Sequence, residues 1–212
     1  MKYSFLNSMR WSVFIFFVTF ILAAIFSIVS TSVLEGVSWG IGMLIVIVLV
    51  GIGILFDMMG IASTAANEIP FHGMAAEKVK GSKQAILIIR NADRFSNICN
   101  DVIGDISSIV SGAASALVVI KLISNLNMNS EGILAFVTSI VVAATVSGMT
   151  VGGKALGKSF AIHKSNTIIL TIGRVFYFFE HRLNIQLLSS KKKNSNGKRG
   201  SKSGARNHSS AK

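Results

Sequence analysis

The stretch NICNDVIGDISSIVSGAASALVVI, residues 97 to 120, decides how often this chain crosses a membrane. It is long enough for the ~20 residues that a spanning helix requires, yet it carries Asn97, Asn100, Asp101, Asp105 and several serines. Three neighbouring segments need no such debate: 11–30 (WSVFIFFVTFILAAIFSIVS), 38–56 (SWGIGMLIVIVLVGIGILF) and 132–149 (GILAFVTSIVVAATVSGM) are almost wholly apolar. Counting the polar stretch as a span gives four and returns both termini to one side. The expected fold is therefore an all-α integral membrane protein, with four transmembrane helices and amphipathic helices at the cytoplasmic interface.

Composition agrees. The 212 residues are 51% apolar and 14% charged, with a mean hydropathy of +0.61, which excludes an ordinary soluble domain. The first span follows Lys2 and Arg10 as a signal peptide would, but its length and lack of a small-x-small cleavage site point to a retained helix. With both termini in the cytoplasm, 20 of the 21 Lys/Arg residues fall inside, as the positive-inside bias demands. Only Lys121 would face out, snorkelling at a helix end. The expected location is the plasma (inner) membrane. Residues 1–10 form a cytoplasmic N-terminus, 11–188 a membrane domain, and 189–212 a disordered tail with eight Lys/Arg and no acid. That tail is expected to hold anionic lipid headgroups rather than nucleic acid, since its Ser/Gly/Asn background offers no fold to position base-reading side chains. Segment 167–179 carries Arg174 and is short for a span, so it reads as an interfacial helix. Pro70 to Arg94 mixes apolar residues with Lys78, Lys80, Lys83 and Arg90, as an amphipathic belt along the inner leaflet would.

GGKALGKS, residues 152–159, matches the G-x-x-x-x-G-K-[ST] pattern of a phosphate-cradling loop. The pattern works only between a buried strand and a following helix. Here it follows a membrane helix, so Lys154 and Lys158 read as membrane-edge cations near headgroups. Cys99 is the only cysteine and reads as a small buried apolar residue. His72 and His163 lack metal-ligand spacing to other His or Cys and read as solvated side chains. No catalytic set appears, so an enzyme is not expected.

The order of short motifs resembles the transmembrane domain of the CorC/CNNM family, the CorB, CorC and cyclin M proteins linked to magnesium transport. The resemblance covers roughly residues 38–188 and rests on FDMMGIAS (56–63), KGSKQAILI (80–88), ADRF (92–95), the polar span and MTVGGKALGK (149–158). Lys154, Leu156 and Lys158 match a family P-K-x-L-A-K phrase. Met59-Gly60-Ile61-Ala62 replaces a family S-E-T-A, Thr150 and Gly153 replace its later Glu and Pro, and Val102-Ile103-Gly104 falls where the family has G-N-N. The first span is additional. The family's CBS pair is missing, so regulation by ATP as in longer relatives is not expected. The resemblance implies transport of a divalent cation, magnesium foremost.

At 100° per residue, Asn97, Asn100, Asp101, Gly104, Ser108 and Ser111 fall within about 100° of arc, with Asp105 some 40° beyond. A carboxylate at mid-bilayer costs roughly 2.5–3.5 kcal/mol, so this face is expected to point into the bundle, a dimer interface or a wet cavity. Asp57, near the end of the second span, is the expected partner. Together Asp57, Asn97, Asn100, Asp101, Asp105 and Ser108 supply hard oxygen donors, suited to Mg²⁺ or calcium. The same residues also suit a structural role, because intramembrane Asn, Asp and Ser bond helices together. Either way the expected partners are the bilayer and a second copy or another membrane protein, and a non-transporting scaffold stands as the alternative function.

Overall fold

A computed structural model describes residues 5–126 and 132–183, so the expected tail at 189–212 lies outside the described residues. The described residues are helical throughout: α1 (Phe5–Glu35), α2 (Trp39–Ala65), α3 (Ile69–Ala76), α4 (Ser82–Arg90), α5 (Ala92–Asn97), a π-helical turn (Ile98–Gly104), α6 (Asp105–Asn125), α7 (Ile133–His163) and α8 (Ser165–Leu183). Four helical runs among them are long and apolar enough to cross a membrane: Ser12–Glu35, Trp39–Ala65, Ala92–Asn125 and Ile133–His163. The third joins α5, the π turn and α6 into one rod, so the polar stretch is a candidate span as expected. The chain is a multi-pass helical membrane protein.

α2 is the central rod, packed on α6, α7 and the π turn. One stripe of it is buried, while Ile41, Leu44, Val48 and Leu55 stay 53 to 60% exposed on the opposite side. That surface is wrong for water and right for lipid, where helices associate by close packing of small residues. Val46 and Val50 meet Ala114, Val118 and Val146 in one core cluster. α1 lies at the edge, resting Ile15, Leu22 and Phe26 on Val102, Ile106 and Val110.

The end of α1 gives Lys121 a partner. The last carbonyls of a helix have no intrahelical donor. Lys121 Nζ donates to two of them, those of Leu34 and Glu35 (2.9 Å), and to the Val37 carbonyl in the turn that follows (2.9 Å). Lys121 places its charge on the negative end of the α1 dipole and fixes the α1–α2 turn against α6.

At the other end of α2, the expected amphipathic belt is folded into α3 and α4, which α8 covers. Pro70 sits in the first turn of α3, where its missing N–H costs nothing. Phe71, Ala85, Ile88 and Ile169 are fully or almost fully buried in a cluster that also takes in Ala62 of α2 and Ala161 of α7. Polar links tie the edges: Arg90 Nε donates to Glu68 Oε1 at 2.7 Å, Gln84 Nε2 to Glu180 Oε2 at 2.7 Å, and the Asn67 amide to Asn166 Oδ1 at 3.0 Å. Arg90, then His72, hold the Glu68 carboxyl below its usual range by hydrogen bonding. His72 is exposed and bound to Glu68, as a solvated side chain should be.

Candidate functional site

The site begins with glycines on α2. Gly53 lies so close to the polar span that a Cβ there would meet Ser107 Cβ at 3.2 Å and the Gly104 carbonyl at 3.3 Å. At Gly60 a Cβ would fall 2.0 Å from Asn100 Oδ1. Only glycine permits this approach, and Asp57 sits between the two on the same seam. Its side chain is 7% exposed although it is a carboxylate about 12 Å before the end of α2.

Opposite Asp57 the span loses α-helical regularity. Residues Ile98–Gly104 are π-helical, with i→i+5 hydrogen bonding of the kind that recurs at functional sites. The wider turn brings Asn100 and Gly104 onto α2. Asn100 Nδ2 donates to Ser96 Oγ at 3.1 Å, and Ser108 Oγ donates to the Gly104 carbonyl at 2.8 Å. Four buried side-chain oxygens among the described residues have no hydrogen-bond partner, and three of them, Asp57 Oδ2, Asn100 Oδ1 and Ser107 Oγ, belong to this seam. Buried polar atoms are nearly always satisfied, so these unpartnered oxygens are the feature of the seam that calls for an explanation.

α7 supplies the counter-charges. Segment 152–159 is helical throughout, inside Ile133–His163, so it forms no phosphate-binding loop and its backbone donors serve the helix. Lys154 and Lys158, one turn apart on one face, each reach a carboxylate. Lys154 Nζ lies 3.2 Å from Asp105 Oδ1 and 3.4 Å from the Gly104 carbonyl. Lys158 Nζ lies 3.7 Å from Asp57 Oδ2, near enough to attract it but too far to donate a hydrogen bond. Lys154 is enclosed at 18% exposure and Lys158 is half open at 51%.

The single polar face expected at 100° per residue is divided, because the π turn resets the angular register. Asn100, Gly104, Ser108 and Ser111 turn toward the bundle, while Asn97, Asp101 and Asp105 are exposed along the other side of the rod. Asp57, Asn100 and Ser108 are therefore gathered at the seam. Asp105 meets only Lys154, and no cation lies within ion-pairing distance of Asp101 among the described residues. No group of three or more His, Cys, Asp or Glu converges there either. Sequence reasoning missed the two lysine partners, the orphaned Ser107 hydroxyl and the glycine seam. The Lys-x₃-Lys spacing on a helix facing two acids was the available signal. Cys99 is buried as expected. No protein-family model, curated protein or solved structure matches the chain.

Proposed function

We propose that the protein binds and moves, or regulates the movement of, a hard divalent cation, with magnesium the foremost candidate. One observation carries the reading: Asp57 Oδ2 and Asn100 Oδ1 are buried without donors on the two sides of the α2 seam. Magnesium is commonly held by one or two carboxylates and keeps several waters, so one carboxylate with amide and carbonyl oxygens is an adequate donor set. Lys158 acts as a displaceable counter-charge. Its half-open position lets the ammonium swing toward water when a cation takes its place beside Asp57. The resemblance of the motif order to the CorC/CNNM transmembrane domain supports the same class, and the Lys/Arg distribution favours both termini in the cytoplasm. The exposed Asn97, Asp101 and Asp105 would then face a second copy or a wet vestibule. Magnesium titration of the purified chain by calorimetry, paired with flux into proteoliposomes, tests the reading. Asp57→Asn should abolish both signals; wild-type behaviour in that variant sinks it.

A second reading is favoured by the Lys154–Asp105 pair, in which an enclosed lysine meets an exposed acid across two helices. In it the two ion pairs only staple α7 to the polar span and to α2, and the protein is a membrane scaffold. Lys158→Met separates the two readings, because only the first has magnesium bind more tightly in the variant and restore its stability.

A further inference from the structure

α3 ends in a Schellman motif built on an uncommon residue. The Val79 amide donates to the Met74 carbonyl (2.9 Å) and the Lys78 amide to the Ala75 carbonyl (3.2 Å), with Lys78 at φ 58° where glycine is usual. Three residues on, Gly81 is also left-handed at φ 89°. Its backbone lies directly on α8: a Cβ at Gly81 would meet the Arg174 amide nitrogen at 2.5 Å, and one at Gly173 would meet the Gly81 carbonyl at 2.3 Å. This glycine-on-glycine crossing sets Lys80 of the α3–α4 turn beside Arg174 of α8, two cations far apart in sequence.

Between them opens a cavity of about 610 Å³, lined by Val79, Lys80, Arg174, Tyr177, Phe178 and His181. The last four recur at i, i+3, i+4 and i+7 on one face of α8. Lys80 and Arg174 have no carboxylate partner among the described residues. Tyr177 and His181 stack in parallel at 6.0 Å, giving one polar wall, and Val79 with Phe178 gives an apolar one. Two unpaired cations are usually just solvated, but here they share a cavity with that apolar wall. Val175 and Phe178, 50 and 58% exposed, continue the apolar surface beside Arg174, as on a helix lying at a bilayer surface.

We propose that the cavity between the α3–α4 turn and α8 binds the phosphate of an anionic phospholipid, with Lys80 and Arg174 clamping the phosphate and Val79 and Phe178 against the glycerol and first acyl carbons. Arg174 supplies the forked donors suited to phosphate oxygens and Lys80 the point charge. This site is separate from the α2 seam and does not rest on the cation reading. It also differs from the basic tail, because its specificity comes from shape.

Thermal unfolding of the full chain in a neutral detergent, titrated with phosphatidic acid, tests it. Phosphatidylcholine and inorganic phosphate serve as comparison probes. Phosphatidic acid should raise the midpoint, and Lys80→Gln with Arg174→Gln should weaken its half-saturation about tenfold or more. Both side chains are exposed, so the double variant should fold, and Arg174→Lys should restore binding in part. Changing Lys191, Lys192 and Lys193 of the tail to Gln should leave the half-saturation within twofold. The proposal is overturned if the double variant titrates like the wild type, if the tail variant loses as much as the double, or if inorganic phosphate reproduces the full shift and so marks a soluble-anion site.

Discussion

Replacing Lys158 by Met keeps the helix and the aliphatic stem and removes one charge 3.7 Å from Asp57 Oδ2. Two unit charges at that separation attract by about 4.5 kcal/mol at an effective dielectric constant of ~20. Lys158 is half exposed, so solvent screening brings the net value to about 1 kcal/mol, as for other open pairs. If a cation must displace this ammonium, its removal should tighten magnesium affinity roughly fivefold. The apo protein should lose a comparable amount of stability, since Asp57 then stands buried and unpaired, and added magnesium should restore it. A staple predicts the same loss of stability, but magnesium then restores nothing. Calorimetry for affinity and the thermal midpoint with and without magnesium read both quantities on one preparation. A magnesium affinity that falls, or stays within twofold of the wild type, refutes the competition between lysine and cation.

Gly60→Ala would place a methyl group 2.0 Å from Asn100 Oδ1 and 2.6 Å from its Cγ, forcing that amide away from the seam and from Ser96. Overpacking costs about 1–3 kcal/mol, partly offset by the ~1 kcal/mol that Ala gains over Gly in a helix. The midpoint should therefore fall modestly while magnesium binding is lost, and unchanged binding would show that Asn100 is no ligand. Glu68 supplies a pH dependence. Its folded pKa is depressed by Arg90 first and His72 second, so its contribution is complete above the ordinary glutamate value of about 4.3 and is lost as pH falls through the folded value. Hydrogen exchange in 69–90, corrected for intrinsic rates, should rise in acid below that point; in Arg90→Gln the rise should begin at higher pH. An identical onset in both proteins would remove Arg90 as the cause.

The candidate spans were legible in the chain because bilayer thickness sets a minimum apolar length, and residues 97–120 met it despite their acids. The failure of GGKALGKS as a phosphate loop was legible too, from the missing strand before it. Their extent was less so. Hydropathy marks where lipid begins, whereas a helix continues as long as its backbone and packing partners allow. α2 therefore runs past residue 56 to Ala65, and α7 carries Lys154 and Lys158 within its body. The candidate site was half legible: Asn100 was named from its place on a polar helix face and Asp57 from its place near the end of the second span. Which of the polar residues would gather there was decided by the π turn, whose changed hydrogen-bond step rotates Asn97, Asp101 and Asp105 away from Asn100 and Gly104. The Lys154–Asp105 and Lys158–Asp57 pairs belong wholly to the tertiary structure. They join residues on separate helices, and one-dimensional periodicity records which face a side chain occupies but not which helix that face meets.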